Sequence, residues 1–341
     1  MLLTCPSEPF PRGVELVTPF EVREIVAAFH DIDGTHSRIR DWIPVMTLVT
    51  GSVAAYGMFR GTPAEIAGEI RRHRAESFPE ARRFAVESAG LSALTQMEWA
   101  LRMARRLDGK SGDVNERIID GIWSGEETFG DTGESPDDLR ILGEQASLLF
   151  KAYEILLLEM CRDENLSAAR KDPRNWRIPG SLTFLRTLKA HGVENYFITG
   201  AVVEYDGSGV PSGTMCEEIR ALGYQVGKGK LLEDICGSAW NEKSPKIDIM
   251  KNLMRRKKLS PEQVLVVGDG RSEIAAGRAL GCLTVSRLDI CAERAREIHR
   301  RLKTNLIVPD FRAFDRLFSS GSSGRKPPQA GKNLRMGTVV A

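Results

Sequence analysis

The six cysteines, at positions 5, 161, 216, 236, 282 and 291, contain no CxxC pair. The spacing of a structural zinc site or a dithiol redox motif is therefore missing. Scattered thiols suit a reducing compartment, and a cytoplasmic protein is expected. The start MLLTCPSEPFPRG lacks a charged segment followed by a continuous apolar stretch, so no export signal is read there. Net charge is only +2. Short basic clusters at Arg71, Arg72 and Arg74, and at Arg255 to Lys258, sit in helix-like segments beside acidic residues. They read as solvated helix faces, and no nucleic-acid partner is expected. Long apolar runs are absent apart from Trp42 to Phe59, which carries no charge. Pro44, glycines and several Thr and Ser residues make it a poor span, so it reads as a buried helix and no membrane partner is expected. There is no internal repeat.

What is present is a chain of 341 residues, too long for one ordinary core. Two folding units, or one domain with a large insert, are expected. Ile25 to Phe29 is a short apolar run before the acidic loop Asp31-Ile32-Asp33-Gly34-Thr35, as in a buried parallel strand ending in a loop. From His36 to about Trp176 the apolar spacing turns helical, notably over Ala81 to Leu107 and Leu139 to Met160, with a Gly- and acid-rich break near Ser124 to Asp137. Beyond Pro179 the pattern alternates. Ser181 to Ala190, Met215 to Leu222, Pro245 to Lys257 and Glu273 to Leu280 read as helices. Glu194 to Thr199, Val264 to Gly268, Leu283 to Ser286 and Leu306 to Val308 read as strands. Helices of this length between strands imply crossovers and a parallel sheet covered on both faces. The expected fold is α/β, a Rossmann-like parallel sheet with an inserted all-helical domain. Its expected parts are an extension over 1–18, a discontinuous core over 19–36 and 177–318, a helical block over 37–176, and a disordered Gly/Ser/Lys/Pro-rich tail over 319–341.

Four features carry chemistry. The first is Asp31-Ile32-Asp33-Gly34-Thr35 at a strand end, where two carboxylates can turn into one crevice. Average residue usage yields such a pentapeptide by chance in roughly one chain of this length in a few hundred. The second is Tyr196-Phe197-Ile198-Thr199-Gly200, a strand ending in a hydroxyl and a glycine, a pair that without the other motifs is more often a simple turn. The third is Ser244-Pro245-Lys246 opening a helix, with Lys243 as a competing lysine. The fourth is Val264 to Gly268 followed by Asp269-Gly270-Arg271-Ser272-Glu273, again a strand running into an acidic loop. In isolation Asp269 is as readily a helix N-terminal acid.

In this order the four features resemble the signatures of the haloacid dehalogenase superfamily, over about Glu21 to Phe318. The resemblance implies that Asp31 is a covalent nucleophile and Asp33 the general acid/base. It implies that Thr199 and Gly200 bind phosphate and that Lys246 neutralises charge between Asp31 and phosphate. It also implies that Asp31, the Asp33 backbone carbonyl and Asp269 hold magnesium. Glu273 stands where Asp is more usual, and an outer-shell role is expected for it. Asp33 favours phosphatase or phosphomutase chemistry over dehalogenase or ion-pump chemistry. The helical block would be a cap over the substrate, though about 140 residues is large for one. His36 could lie at the hinge or touch substrate, but a structural role is favoured.

The resulting expectation is a magnesium-dependent phosphomonoester hydrolase acting on a phosphorylated small metabolite, such as a sugar phosphate or a phosphoglycolate-like acid. A sugar phosphomutase of the same fold is the alternative, and a non-catalytic binding protein a third reading. Oligomeric state is left open.

Overall fold

The computed structural model describes residues 1–107, 109, 112–239, 245–312 and 314. The expected tail over 319–341, and Lys243 and Ser244, lie outside the described residues. The chain begins with three two-residue strands, β1 (Leu2–Leu3), β2 (Glu15–Leu16) and β3 (Arg23–Glu24), and then β4 (Ala27–His30). Helices α1 (Trp42–Tyr56), α2 (Pro63–Arg72), α3 (Pro79–Glu87), α4 (Ala93–Ala104), α5 (Asp113–Ser124) and α6 (Pro136–Leu157) follow. A π-helical turn, Leu158–Arg162, leads from α6 into α7 (Asp163–Lys171) and the short α8 (Pro173–Trp176). Alternation then sets in with α9 (Ser181–Ala190), β5 (Glu194–Val202), the small hairpin of β6 (Glu204–Tyr205) and β7 (Pro211–Ser212), α10 (Gly213–Ala221) and β8 (Asp234–Ser238). It continues through α11 (Lys246–Lys257), β9 (Val264–Gly268), α12 (Arg271–Leu280), β10 (Leu283–Arg287), α13 (Glu293–Arg301) and β11 (Leu306–Val308).

Seven strands form one sheet in the order β2-β11-β10-β9-β4-β5-β8. All pairs are parallel except β2 with β11. β4 and β9 are buried along their whole length, which accounts for the apolar sequence of β9 and of β4 up to Phe29. Their side chains alternate between faces. Ala28, Leu265 and Val267 pack with Phe184 and Leu188 of α9, while Ala27, Phe29, Val264 and Val266 pack with Met250 and Leu253 of α11. Each such fully buried Val, Leu, Met or Phe side chain contributes about 1.5–3 kcal/mol. Because β4 and β9 are neighbours, their C-terminal ends deliver Asp31 and Asp269 to the same edge of the sheet.

The helical segment has a core of its own. Val45, Val49, Ile66, Phe84, Trp99, Ile118, Leu149 and Phe150 are buried there, with Phe84 and Trp99 stacked at 3.9 Å. The uncharged run at Trp42 becomes α1, and no described helix is long and apolar enough to cross a membrane. Among the described residues no strand occurs between β4 and β5.

Three features differ from the sequence reading. Residues 1–18, set apart as an extension, supply β2 to the sheet edge and Leu3 and Val14 to the core. Two residues of strand are too short to register as a pattern. β8 was not read as a strand because its Asp234-Ile-Cys-Gly-Ser is half polar, as an edge position allows. α13 was missed because Glu293–Arg301 is almost wholly charged, and its buried members, Arg296 and His299, are polar.

Candidate active site

Asp31 follows β4 directly, and its backbone N–H donates to Val267 O at 2.9 Å, locking the loop to β9. Its Oδ1 accepts from Lys246 Nζ at 2.5 Å. The same ammonium donates to Glu273 Oε2 at 2.9 Å. All three groups are buried. Burial pushes the Asp31 carboxyl up against the opposing pull of Lys246. Burial also works against the Lys246 charge, but Asp31 and Glu273 outweigh it and raise its pKa.

Asp269 accepts from Thr35 Oγ1 at 2.7 Å, which ties the first loop to the fourth. Gly34 lies between them at φ +82°, and a Cβ there would overlap the Asp269 carboxylate. Glycine at this position is therefore required by both backbone conformation and contact. Burial, reinforced by Asp31 and Glu273, drives the Asp269 pKa well above the usual carboxylate range.

Oxygens of Asp31, Asp269 and Glu273 lie within 4.8 Å of one another. Asp31 and Asp269 of the expected ligand set are in this cluster, while the expected Asp33 ligand is a backbone carbonyl and so a different kind of donor. Glu273 is already engaged on both oxygens, by Lys246 and by the Gly270 N–H at 2.6 Å. Its geometry matches a carboxylate that orients the lysine. Two buried carboxylates and the half-buried Asp269 beside one ammonium leave an excess of negative charge, and all the donors are hard oxygens. That donor set fits a divalent cation such as magnesium.

Asp33 points into the same cleft as Asp31. Its Oδ1 is buried and has no hydrogen-bond partner among the described residues. Burial pushes its pKa up to about 8 despite the opposing field of Arg40. Thr199 is buried and Gly200 borders the cleft. The β5–β8 pairing shifts register between Ile198 and Val202, and the Ala201 N–H turns back to Thr199 Oγ1 at 3.1 Å. Bulges of this kind re-aim side chains at a strand end. Here Thr199 keeps its hydroxyl proton free to donate. Thus Asp31, Asp33, Thr199, Gly200, Lys246 and Asp269 line one cavity of ≈ 80 Å³, with Glu273 just behind it.

His36 is buried, stacked on Phe311 at 4.7 Å and bonded to Ser181 Oγ at 2.6 Å and His30 at 3.2 Å. It is a structural histidine.

The far wall of the cavity was not read from sequence. It comprises Arg40, Trp42, Met46, Gln96, Tyr153 and Glu154. Arg40 grips Glu218 through Nε at 2.9 Å and Nη2 at 3.0 Å, and its Nη1 faces Glu154 at 3.5 Å. Arg162, from the π-helical turn, donates to the same Glu218 at 2.8 Å. No motif joins these positions. The one available signal was Arg40 itself, a charged residue soon after the first loop.

A family model described as haloacid dehalogenase-like hydrolase matches residues 208–286, a segment that includes Lys246, Asp269 and Glu273. A search of curated proteins gives no match. Among solved structures, a putative β-phosphoglucomutase from Bacteroides vulgatus aligns at 13% identity and TM-score 0.47, covering 86% of this chain and 87% of that one. A predicted phosphoglycolate phosphatase from Haemophilus somnus aligns at 16% identity and TM-score 0.42, covering 86% and 97%. A β-phosphoglucomutase from Clostridium difficile aligns at 12% identity and TM-score 0.45, covering 87% and 98%. The chain is thus similar to the haloacid dehalogenase-like hydrolases over residues 208–286.

Proposed function

We propose that the protein is a magnesium-dependent phosphomonoesterase acting through an aspartyl-phosphate on Asp31. The observation that carries this reading is the buried Asp31–Lys246–Glu273 arrangement beside Asp269 and Asp33. Uncatalysed phosphomonoester hydrolysis is extremely slow, so two easier transfers through a covalent intermediate replace one hard step. Asp31 has one oxygen held by Lys246, which leaves the other to attack phosphorus. The Asp31–phosphorus bond forms as the bond to the leaving alcohol oxygen breaks. Asp33, kept protonated near neutral pH by burial, gives its proton to that oxygen. As a carboxylate it then takes a proton from the water that attacks the phospho-aspartate, releasing inorganic phosphate and restoring Asp31. Thr199 Oγ and the Gly200 N–H stabilise phosphoryl oxygens, and Lys246 offsets charge between them and Asp31.

Asp31, Asp269 and the Asp33 backbone carbonyl would hold the magnesium ion, with Glu273 positioning Lys246. The ion supplies neutralisation of the phosphoryl charge. The helical block over 37–176 serves as a cap that excludes water during transfer.

The test is phosphate release from a panel of small phosphomonoesters with magnesium, with chelator, and with Asp31→Asn. Release that needs both the metal and Asp31 is expected. Undiminished release by Asp31→Asn would remove the nucleophile from the account. Interconversion of two sugar phosphates without release would favour a phosphomutase.

A further inference from the structure

We infer that the leaving-group half of the cleft takes a small alcohol rich in hydrogen-bond donors and rejects one bearing a second negative charge, with Glu154 as the discriminating residue. This rests on the phosphomonoesterase reading above and narrows its substrate class.

Opposite the Asp31 side, the wall offers one cation, Arg40. Its Nε and Nη2 are held by Glu218 and its Nη1 faces Glu154, so two carboxylates already surround one guanidinium. Among the described residues, an incoming carboxylate or second phosphate would find no unmatched positive charge on this side. Even a protonated Glu154 would leave Arg40 matched by Glu218.

The remaining polar atoms mostly accept. Among the described residues Glu154 makes one polar contact, at 3.5 Å to Arg40. Gln96, which lines the cleft, uses its amide N–H on Ser88 Oγ at 2.8 Å and on Ser88 O, so that its carbonyl oxygen is the group left to accept. Tyr153 can donate or accept. Met46 and the Trp42 ring close the rest with apolar surface, the indole being the one side chain among these that can only donate. A buried acceptor left unpaired is costly, so the best-fitting partner brings hydroxyl or ammonium protons. The cavity of ≈ 80 Å³ favours a short alcohol, a polyol or an amino alcohol, over a nucleoside.

The test compares kcat/KM for two matched pairs on the magnesium-loaded full chain: phosphoethanolamine against phosphoglycolate, and glycerol 3-phosphate against 3-phosphoglycerate. Acetyl phosphate reports on the phosphoryl site alone. The donor-bearing member of each pair is expected to lead by tenfold or more, and Glu154→Gln to shrink that ratio several-fold. Turnover of acetyl phosphate with the carboxylate member equal or preferred would overturn the inference and leave the phosphatase reading standing. So would an unchanged ratio in Glu154→Gln. No turnover of acetyl phosphate or of any ester would overturn both. Should Glu154→Gln fail to fold, the wild-type ratios still decide.

Discussion

The cleft has a buried cation between two carboxylates on each of its walls. Lys246 sits between Asp31 and Glu273, and Arg40 between Glu218 and Glu154. The residue types differ with the task. A lysine ammonium is a compact point charge that holds one oxygen of Asp31 and leaves the other for chemistry. An arginine fork takes both oxygens of Glu218 and fixes a geometry. Lys246 and its partners all belong to loops and helix starts at the sheet edge. Arg40 instead links the segment after the first loop to α6 of the helical block through Glu154 and to α10 beside the sheet through Glu218. On the proposed phosphatase reading, one wall carries the reaction, and the other joins the two parts of the molecule while shaping the space for the leaving group.

Substitutions on the two walls should therefore separate cleanly. On the reactive wall, Asp31→Asn is expected to lower phosphate release on the order of a thousandfold or more with little change in fold. Asp33→Asn is expected to lower it about a hundredfold to ten-thousandfold. Steady-state kinetics beside circular dichroism would check both. A stable Asp33→Asn of near-normal rate would take proton transfer away from that residue.

On the other wall the larger effect should fall on stability. Glu218→Ala leaves Arg40 and Arg162 as buried cations short of a partner and should cost about 3–5 kcal/mol in urea unfolding. Glu154→Gln loses only the longer contact and should cost far less. Equal costs would mean that the Arg40–Glu218 fork does not anchor this wall.

A smaller effect comes from acid and involves neither wall. His299 is buried against Ser286 Oγ at 2.7 Å, and burial lowers its pKa from 6.5 to about 4. The unfolded chain takes up a proton below 6.5 that the folded chain refuses until about 4. Stability that is fully present above 6.5 is thus lost as pH falls through that window, at about 1.4 kcal/mol per pH unit for the group. Urea midpoints measured across the window should show a shallower slope in His299→Gln, and an identical slope would place the loss elsewhere.

The same contrast explains what could be read in advance. The sheet announced itself because β4 and β9 are buried on both faces and so carry apolar runs. The reactive wall was legible because its groups sit next to those runs, within a few residues of each strand end. Arg40, Gln96, Glu154 and Glu218 are brought together only by the packing of α4, α6 and α10, and helix packing leaves no local spacing rule. Glu273 was legible as an outer residue, yet its two-oxygen engagement depends on the Gly270 N–H at the start of α12. The short β2 and the highly charged α13 fell below any periodic signal.

The account depends most directly on covalent chemistry at one oxygen. Rapid acid quench of the magnesium-loaded protein during turnover of acetyl phosphate, followed by peptide mass spectrometry, should find one added phosphoryl group on the peptide containing Asp31, absent in Asp31→Asn. Sustained turnover with no phosphoryl on that peptide, or with the label on another residue, would contradict it.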